Sequence, residues 1–457
     1  MPDAVQRTGP NTSTTRSTLP DPIASKPWFD TSSLGGEVDT DSGGSYGMTR
    51  SGPGVRPRGR SIPGEFGLYE ITLNNTGSGW VERFLLHVPR LAPGQRAPLL
   101  VVFHRYGVSH WDAYYSTTLL EEARQRGWFV VAPRAAAQKS FNSLEGQINV
   151  QAALDFVNEN FNVDPNRVYG VGFSMGGGLA TNFAARHLDP HRLMFAAMVN
   201  HTGTVSQAEA WSREYQNESS DSMEYWYAGP PSSQPFTYQR CSVVDIDPAT
   251  GVVGTGSDVA RNLAHLPVRN WMANNDPIAY LRNQTTTFDS YLNSQAVHTE
   301  MVVVNGNVHS WSTLDDHAVC DWLSQFSLQI PKASSTLADE DGTYFWFNLN
   351  QNAAGSFTPF SWSLDPTANR ISIYDTGNLS RLSLDATAAG LQYAGVLKLN
   401  LNTADGTGDQ IRLENVTNPP VAVTRDGVPA SGTWDPSTQS FLIAETDHAI
   451  HMWRLTF

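Results

Sequence analysis

Ser174 lies in the stretch "VYGVGFSMGGGLA" (168–180), one hydroxyl among five glycines, Gly170, Gly172, Gly176, Gly177 and Gly178. Glycine inside a strand or helix costs roughly 0.5–1 kcal/mol relative to alanine. So many together mean that backbone must pass where a Cβ would block it. Residues 167–173 are apolar and rich in β-branched and aromatic types, as a buried strand should be, and 179–187 have helical composition. Gly172-Phe173-Ser174-Met175-Gly176 then reads as a G-x-S-x-G elbow, with the serine at a strained tip and free helix N–H groups beside it. The chemistry this predicts is nucleophilic attack on an acyl carbon; the bland alternative is a glycine-rich turn.

A serine hydroxyl needs a base, and the base needs an acid to orient it. In a strand–elbow–helix topology the chain order is Ser, then Asp or Glu, then His. Four of the later histidines, His265, His298, His309 and His317, compete. His309 follows the strand-like "EMVVV" and can stand at the edge of a sheet; His298 precedes that strand and His317 falls in a helical pattern. Asp276 ends "VRNWMANND" before Pro277, where it would also serve as a turn or helix cap. Asp245 and Asp247 compete but lie in a less regular stretch. The expected set is Ser174, His309 and Asp276. The developing oxyanion needs two N–H donors. Met175, just after the nucleophile, supplies one, and Tyr106 in "HRYGVSH" the other. His104 in the same loop reads as structural. Arg105, Trp226 and Trp311 are candidate substrate contacts.

The elements that must position these groups alternate. "PLLVVFH", "WFVVAP", "RVYGVGF", "LMFAAMVN", "VRNWMANND" and "EMVVVNG" read as strands, with helical segments between them. The fold class this predicts is α/β, a doubly wound, mostly parallel sheet covered on both faces. From about Thr343 onward the pattern becomes short strands and turns, which predicts a C-terminal all-β, antiparallel sandwich-like domain. The expected organisation is a disordered or linker segment over 1–62, a catalytic domain over 63–330 and a β-domain over 335–457. Between about 202 and 266 the alternation lapses, and the insertion carries many aromatics. It reads either as a lid over the sheet's C-terminal edge or as an excursion with its own small core.

Composition narrows the function class. The 457 residues carry 30 basic and 44 acidic side chains, a formal charge of -14, which disfavours nucleic acid and anionic membranes as partners. No apolar run is long enough to span a membrane. The N-terminus shows no apolar leader core, although its Ser/Thr-rich composition and the four lysines of the chain fit a secreted protein. Two cysteines, Cys241 and Cys320, either form one bridge closing about 80 residues, worth on the order of 4 kcal/mol, or are buried free thiols. No cofactor and no metal are required by this chemistry.

"VDPNRVYGVGFSMGG", "HRYG" and "GNVHSW" together resemble the polyhydroxybutyrate-depolymerase-like and feruloyl-esterase-like esterases of the α/β-hydrolase superfamily. "GFSMGGG" and "NNDPIAY" are also similar to the cutinase-like polyesterases, which place a Tyr and a Met at the oxyanion hole. The resemblance spans about 65–326 and stops before the C-terminal module. It implies a serine esterase acting through an acyl-enzyme on an ester, of polymeric or bulky type. Arg105 departs from it, standing where these families have glycine, so it either crowds the site or meets an anionic substrate. A carbon–carbon hydrolase, a peptidase or a noncatalytic binding protein could use the same fold. The exposed-looking aromatics of "TYFWFNLN" and "FTPFSWSL" read as sandwich core or as stacking surfaces for a polymer.

Overall fold

A computed structural model describes residues 46–50, 67–216, 223–254, 259–403, 409–447 and 449–457. The chain divides into two units. The described part of the first comprises 46–50, 67–184, 192–216, 223–254 and 266–329.

The first unit is built on one sheet. Its strands are β1 (Tyr46–Arg50), β2 (Gly67–Leu73), β3 (Glu82–Val88), β4 (Ala97–Phe103), β5 (Phe129–Pro133), β6 (Val163–Phe173), β7 (Ala197–His201), β8 (Val268–Ala273) and β9 (Thr299–Val304). Among the described residues the order is β1-β2-β3-β5-β4-β6-β7-β8-β9. Pairing is antiparallel from β1 to β5 and parallel from there to β9. This swap of β4 and β5, with the elbow after β6, is the α/β-hydrolase topology with one extra antiparallel edge strand. That strand, Tyr46–Arg50, lies inside the 1–62 stretch expected as linker, where pairing with β2 overrides local composition. The remainder of that stretch lies outside the described residues.

The central strands are mostly apolar because helices cover both faces. β4, β5 and β7 are buried at every position. The helices are α1 (Asp112–Ser116), α2 (Leu119–Gln125), α3 (Leu144–Asn160), α4 (Met175–Arg186), α5 (Gln207–Glu214), α6 (Met223–Tyr227), α7 (Pro235–Arg240), α8 (Ala279–Ser294) and α9 (Asp316–Leu323). Side-chain caps start two of them: Ser143 accepts from the Gly146 N–H ahead of α3, and Asp315 from the Ala318 N–H ahead of α9. No helix among the described residues is long and apolar enough to cross a membrane.

The second unit is a pair of β-sheets over 330–457, joined by 185–191 and by the short 3-10 helix Val259–His265. The end of the insertion thus belongs to this unit. Asn262 explains how. Its buried amide accepts from the Leu337 N–H and donates to the Leu337 and Ala185 carbonyls. The sheets face each other through Phe347 against Trp362 and Phe360, at ring-centroid distances of 5.2 and 6.0 Å. Tyr344, Phe345, Phe347, Phe360 and Trp362 are all buried, so they are core and offer no stacking surface. The sandwich is not purely antiparallel. Arg370–Thr376 pairs in parallel with Val396–Thr403, and Leu379–Asp385 with Gln410–Glu414. Successive strands here alternate between the two sheets, so strands two apart in sequence run the same way.

Cys241 and Cys320 are both buried and not bonded to each other, which rules out the bridge. Each packs in a different apolar cluster, Cys241 with Phe141 and Tyr238, Cys320 with Val319 and Trp322. Burial pushes the Cys320 thiol up to about 12.

Two outcomes are expected. Asn262→Ala strands three buried backbone groups and should destabilise the protein by roughly 2–4 kcal/mol, read by denaturant unfolding. A thiol reagent should find no reactive cysteine in the native protein and both on unfolding.

Candidate active site

The site begins where β6 runs into α4. Ser174 has a φ of 57°, a left-handed conformation that a serine adopts only under constraint. Its N–H donates to the His201 carbonyl, and its own carbonyl accepts from Gly177, Gly178 and Thr204. The glycines around it are explained by what approaches them. A Cβ on Gly172 would lie 2.0 Å from the Gly176 carbonyl oxygen. A Cβ on Gly176 would lie 2.3 Å from the Phe103 oxygen and 2.5 Å from that of His104. The helix therefore sits directly on the end of β4, and the serine stands at the sheet's C-terminal edge.

Two loops carry the other groups to the same edge. Asp276 follows β8 and His309 follows β9. These loops are zipped together, with the Asn274 N–H donating to Val304 and the Asn275 N–H to Gly306. The Asn274 side chain adds a bond from the Gly306 N–H. His309 Nδ1 lies 2.6 Å from Asp276 Oδ2, and His309 Nε2 lies 2.8 Å from Ser174 Oγ. A carboxylate only accepts, so Nδ1 carries the hydrogen and Nε2 is left to accept from the serine. Asp276 is buried; its Oδ1 accepts from the Ile278 N–H and its carbonyl from Arg282. The Phe173 ring packs on the imidazole, centroids 4.5 Å apart.

Met175 opens α4, so its N–H has no acceptor within the helix. Tyr106 follows β4 in the facing loop. That loop is tied to 134–141 by the Gly107 N–H on the Gln138 carbonyl. His104 is buried, with both ring nitrogens against carbonyls, those of Arg105 and Arg134. Burial holds it below the usual imidazole range.

The candidate contacts separate. Trp311 is buried, donates to Asp112 and packs on Phe173, so it is a strut of the histidine loop and not a substrate contact. Hydrophobic burial and a satisfied N–H decide that. Trp226 lies against Trp80 in the cluster that contains Met175, Phe141 and Tyr238. Arg105 turns onto Asp112 at 3.3 Å and borders a cavity of about 530 Å³ that also touches Ser109, Trp111 and Tyr115. The insertion's aromatics form a core of their own, and that core is continuous with Met175 and the partly buried Tyr106.

Three buried polar groups carry no sequence motif. Asp112 takes Trp311 Nε1 and Ser116 Oγ as well as Arg105. His201, at the end of β7, meets Thr313 Oγ1 at 2.9 Å, and burial, with His309 nearby, pushes it down to about 3. Its place at a strand's C-terminal end was the available signal. Glu82, at the start of β3, had none. Away from this site, Glu445, Asp447 and His451 come together as metal ligands can. Arg425 bonds both carboxylates and His451 bonds Asp447, so their charge is already matched.

No protein-family model matches the chain, and no curated protein matches it. Among solved structures it is similar to an S-formylglutathione hydrolase from Agrobacterium tumefaciens, at 12% identity and a TM-score of 0.44, over 59% of this chain and 99% of that one. An acetyl xylan esterase from Paenibacillus sp. R4 gives 15% identity and 0.42, over 62% and 88%. A ferulic acid esterase gives 16% and 0.41, over 56% and 95%.

The elbow's packing is open to test. Gly176→Ala must displace the Phe103 and His104 carbonyls and with them the Tyr106 loop. The expected loss in kcat is on the order of 100-fold, measured beside circular dichroism to account for folded protein.

Proposed function

We propose that the protein is a carboxylic ester hydrolase that works through an acyl-enzyme on Ser174. The observation that carries this reading is the unbroken run Ser174 Oγ, His309, Asp276 at 2.8 and 2.6 Å. His309 Nε2 takes the serine proton as Oγ attacks the ester carbon. Asp276 holds the ring in the tautomer that leaves Nε2 open and stabilises the imidazolium that forms. The negative charge moves to the carbonyl oxygen, where the Met175 and Tyr106 N–H groups receive it. The tetrahedral species collapses, the C–O bond to the alcohol breaks, and the alcohol leaves with the proton from Nε2. Water then attacks the acyl-serine, gives its proton to His309, and the acid departs with Ser174 restored.

The finer reading is a bulky or polymeric ester. It is supported by the aromatic cluster that adjoins Met175 and Tyr106, and by the cavity beside Arg105. That volume lies in the range that holds drug-sized ligands. Of the β-unit's aromatic candidates for attachment, Tyr344, Phe345, Phe347, Phe360 and Trp362 are core, while Trp346 and Phe357 are part-exposed.

Ser174→Ala should abolish hydrolysis of p-nitrophenyl esters and labelling by a fluorophosphonate. Asp276→Asn should lower kcat by on the order of 10³–10⁴-fold with the fold intact. Labelling that survives Ser174→Ala would point to another nucleophile. If short esters turn over fast while insoluble polyester films and aryl esters do not, the bulky-substrate reading fails and a plain carboxylesterase remains.

A further inference from the structure

The loop that carries Tyr106 rests on a second loop, 134–141, and that loop is held from below by one carboxylate. We propose that Glu82 is a positioning residue for the oxyanion hole, clamping the 134–141 loop so that it fixes the backbone of 104–107. The inference rests on the hydrolase reading above.

Glu82 is fully buried at the start of β3. Its Oε1 accepts from the Arg134 N–H at 2.7 Å and the Ala135 N–H at 3.1 Å; its Oε2 accepts from the Ala136 N–H at 3.0 Å. Three successive N–H groups converge only because the chain curls sharply. Ala135 and Ala136 have φ values of 55° and 68°, strained for residues with a Cβ. Such a concave run of N–H groups is an anion cradle, and here the anion comes from the protein itself.

What the clamp holds reaches the site by three routes. His104 Nε2 lies 3.0 Å from the Arg134 carbonyl. The Gln138 carbonyl accepts from the Gly107 N–H at 2.9 Å. Phe141 packs on the Tyr106 ring at 5.4 Å. His104, Tyr106 and Gly107 thus each lean on the loop that Glu82 ties down.

The groups facing Glu82 are those three N–H groups and the Asn149 amide; the titratable group next in line is His104, across the Arg134 carbonyl. Burial pushes the Glu82 carboxyl up to about 7, against the pull of its donors. A protonated carboxyl puts a hydrogen where the cradle also presents hydrogens, so the clamp slackens as pH falls through neutral. The stability sign is opposite. A raised folded-state value means that the group's contribution to folding is full below the unfolded value and declines as pH rises through about 7. Activity that falls on acidification should therefore not be accompanied by a falling melting temperature from this group.

The experiment is the acid limb of kcat/KM for a soluble ester, with Glu82→Gln beside the wild type and active sites counted by fluorophosphonate titration. Gln keeps the size but offers one accepting oxygen, so at least one N–H loses its partner. The expected variant folds, keeps KM, and loses about 10- to 100-fold in kcat. In the wild type kcat/KM should fall about 10- to 100-fold further than in the variant as pH drops through about 7, because only the wild type carries a carboxyl there to protonate. Unchanged kcat in the variant, or acid limbs of the same shape in the two proteins, overturns the proposal. If Glu82→Gln fails to fold, Glu82→Asp carries the same test, because the shorter carboxylate cannot reach all three N–H groups and the same loss in kcat is expected; unchanged kcat there overturns the proposal. If Ser174→Ala leaves hydrolysis intact, the hydrolase reading itself fails; a Ser174-dependent esterase whose Glu82→Gln variant keeps its kcat removes only the role of Glu82.

Discussion

Everything at the site depends on how closely α4 approaches the end of β4. Gly176 sits where any side chain would strike the Phe103 and His104 carbonyls, and Gly172 where it would strike Gly176. That contact sets two positions at once. It lifts Ser174 into a left-handed turn at the sheet edge, and it brings the first N–H of α4 beside the loop that follows β4. The proposed nucleophile and oxyanion donors are therefore products of one steric fact. The same contact leaves little slack, which is why the loops around it are heavily braced.

The bracing is mostly polar and mostly buried. The loops after β8 and β9 share backbone bonds, so Asp276 and His309 are brought together by the sheet's own register extended two residues beyond its strands. Asp112 ties Trp311, and with it the histidine loop, to the helix after the Tyr106 loop. Glu82 does the same for 134–141 from the opposite side of β5 in sequence order. Buried carboxylates are expensive unless hydrogen-bonded. Both of these are saturated with donors, and both sit one layer behind the proposed reacting groups.

The insertion between β7 and β8 is used twice. Its helices α5 to α7 build an aromatic core that continues into Met175 and Tyr106, so packing of the insertion and shape of the cleft are one problem. Its last turn, Val259–His265, serves the second unit through Asn262. A segment that sequence patterning marks only as irregular is thus committed to two separate cores. The buried aromatics of the β-unit likewise go to its own interior.

The sequence by itself determined the parallel strands, the elbow and the order of Ser174, Asp276 and His309. These are local properties: apolar runs of strand length, glycines around one hydroxyl, and polar residues just beyond strand ends. The tertiary structure alone decided what depends on partners far away in the chain. Trp311 looked like a substrate contact from its place beside His309, but its N–H is taken by Asp112, 199 residues earlier. Tyr46–Arg50 has no strand pattern of its own and is a strand because β2 offers an edge. The two thiols stay apart because each is drawn into a different apolar cluster. Glu82 is a charged residue in an alternating strand, indistinguishable in sequence from a solvated one. Only the folded chain curls three N–H groups around it, because that curl is made by a loop some fifty residues away.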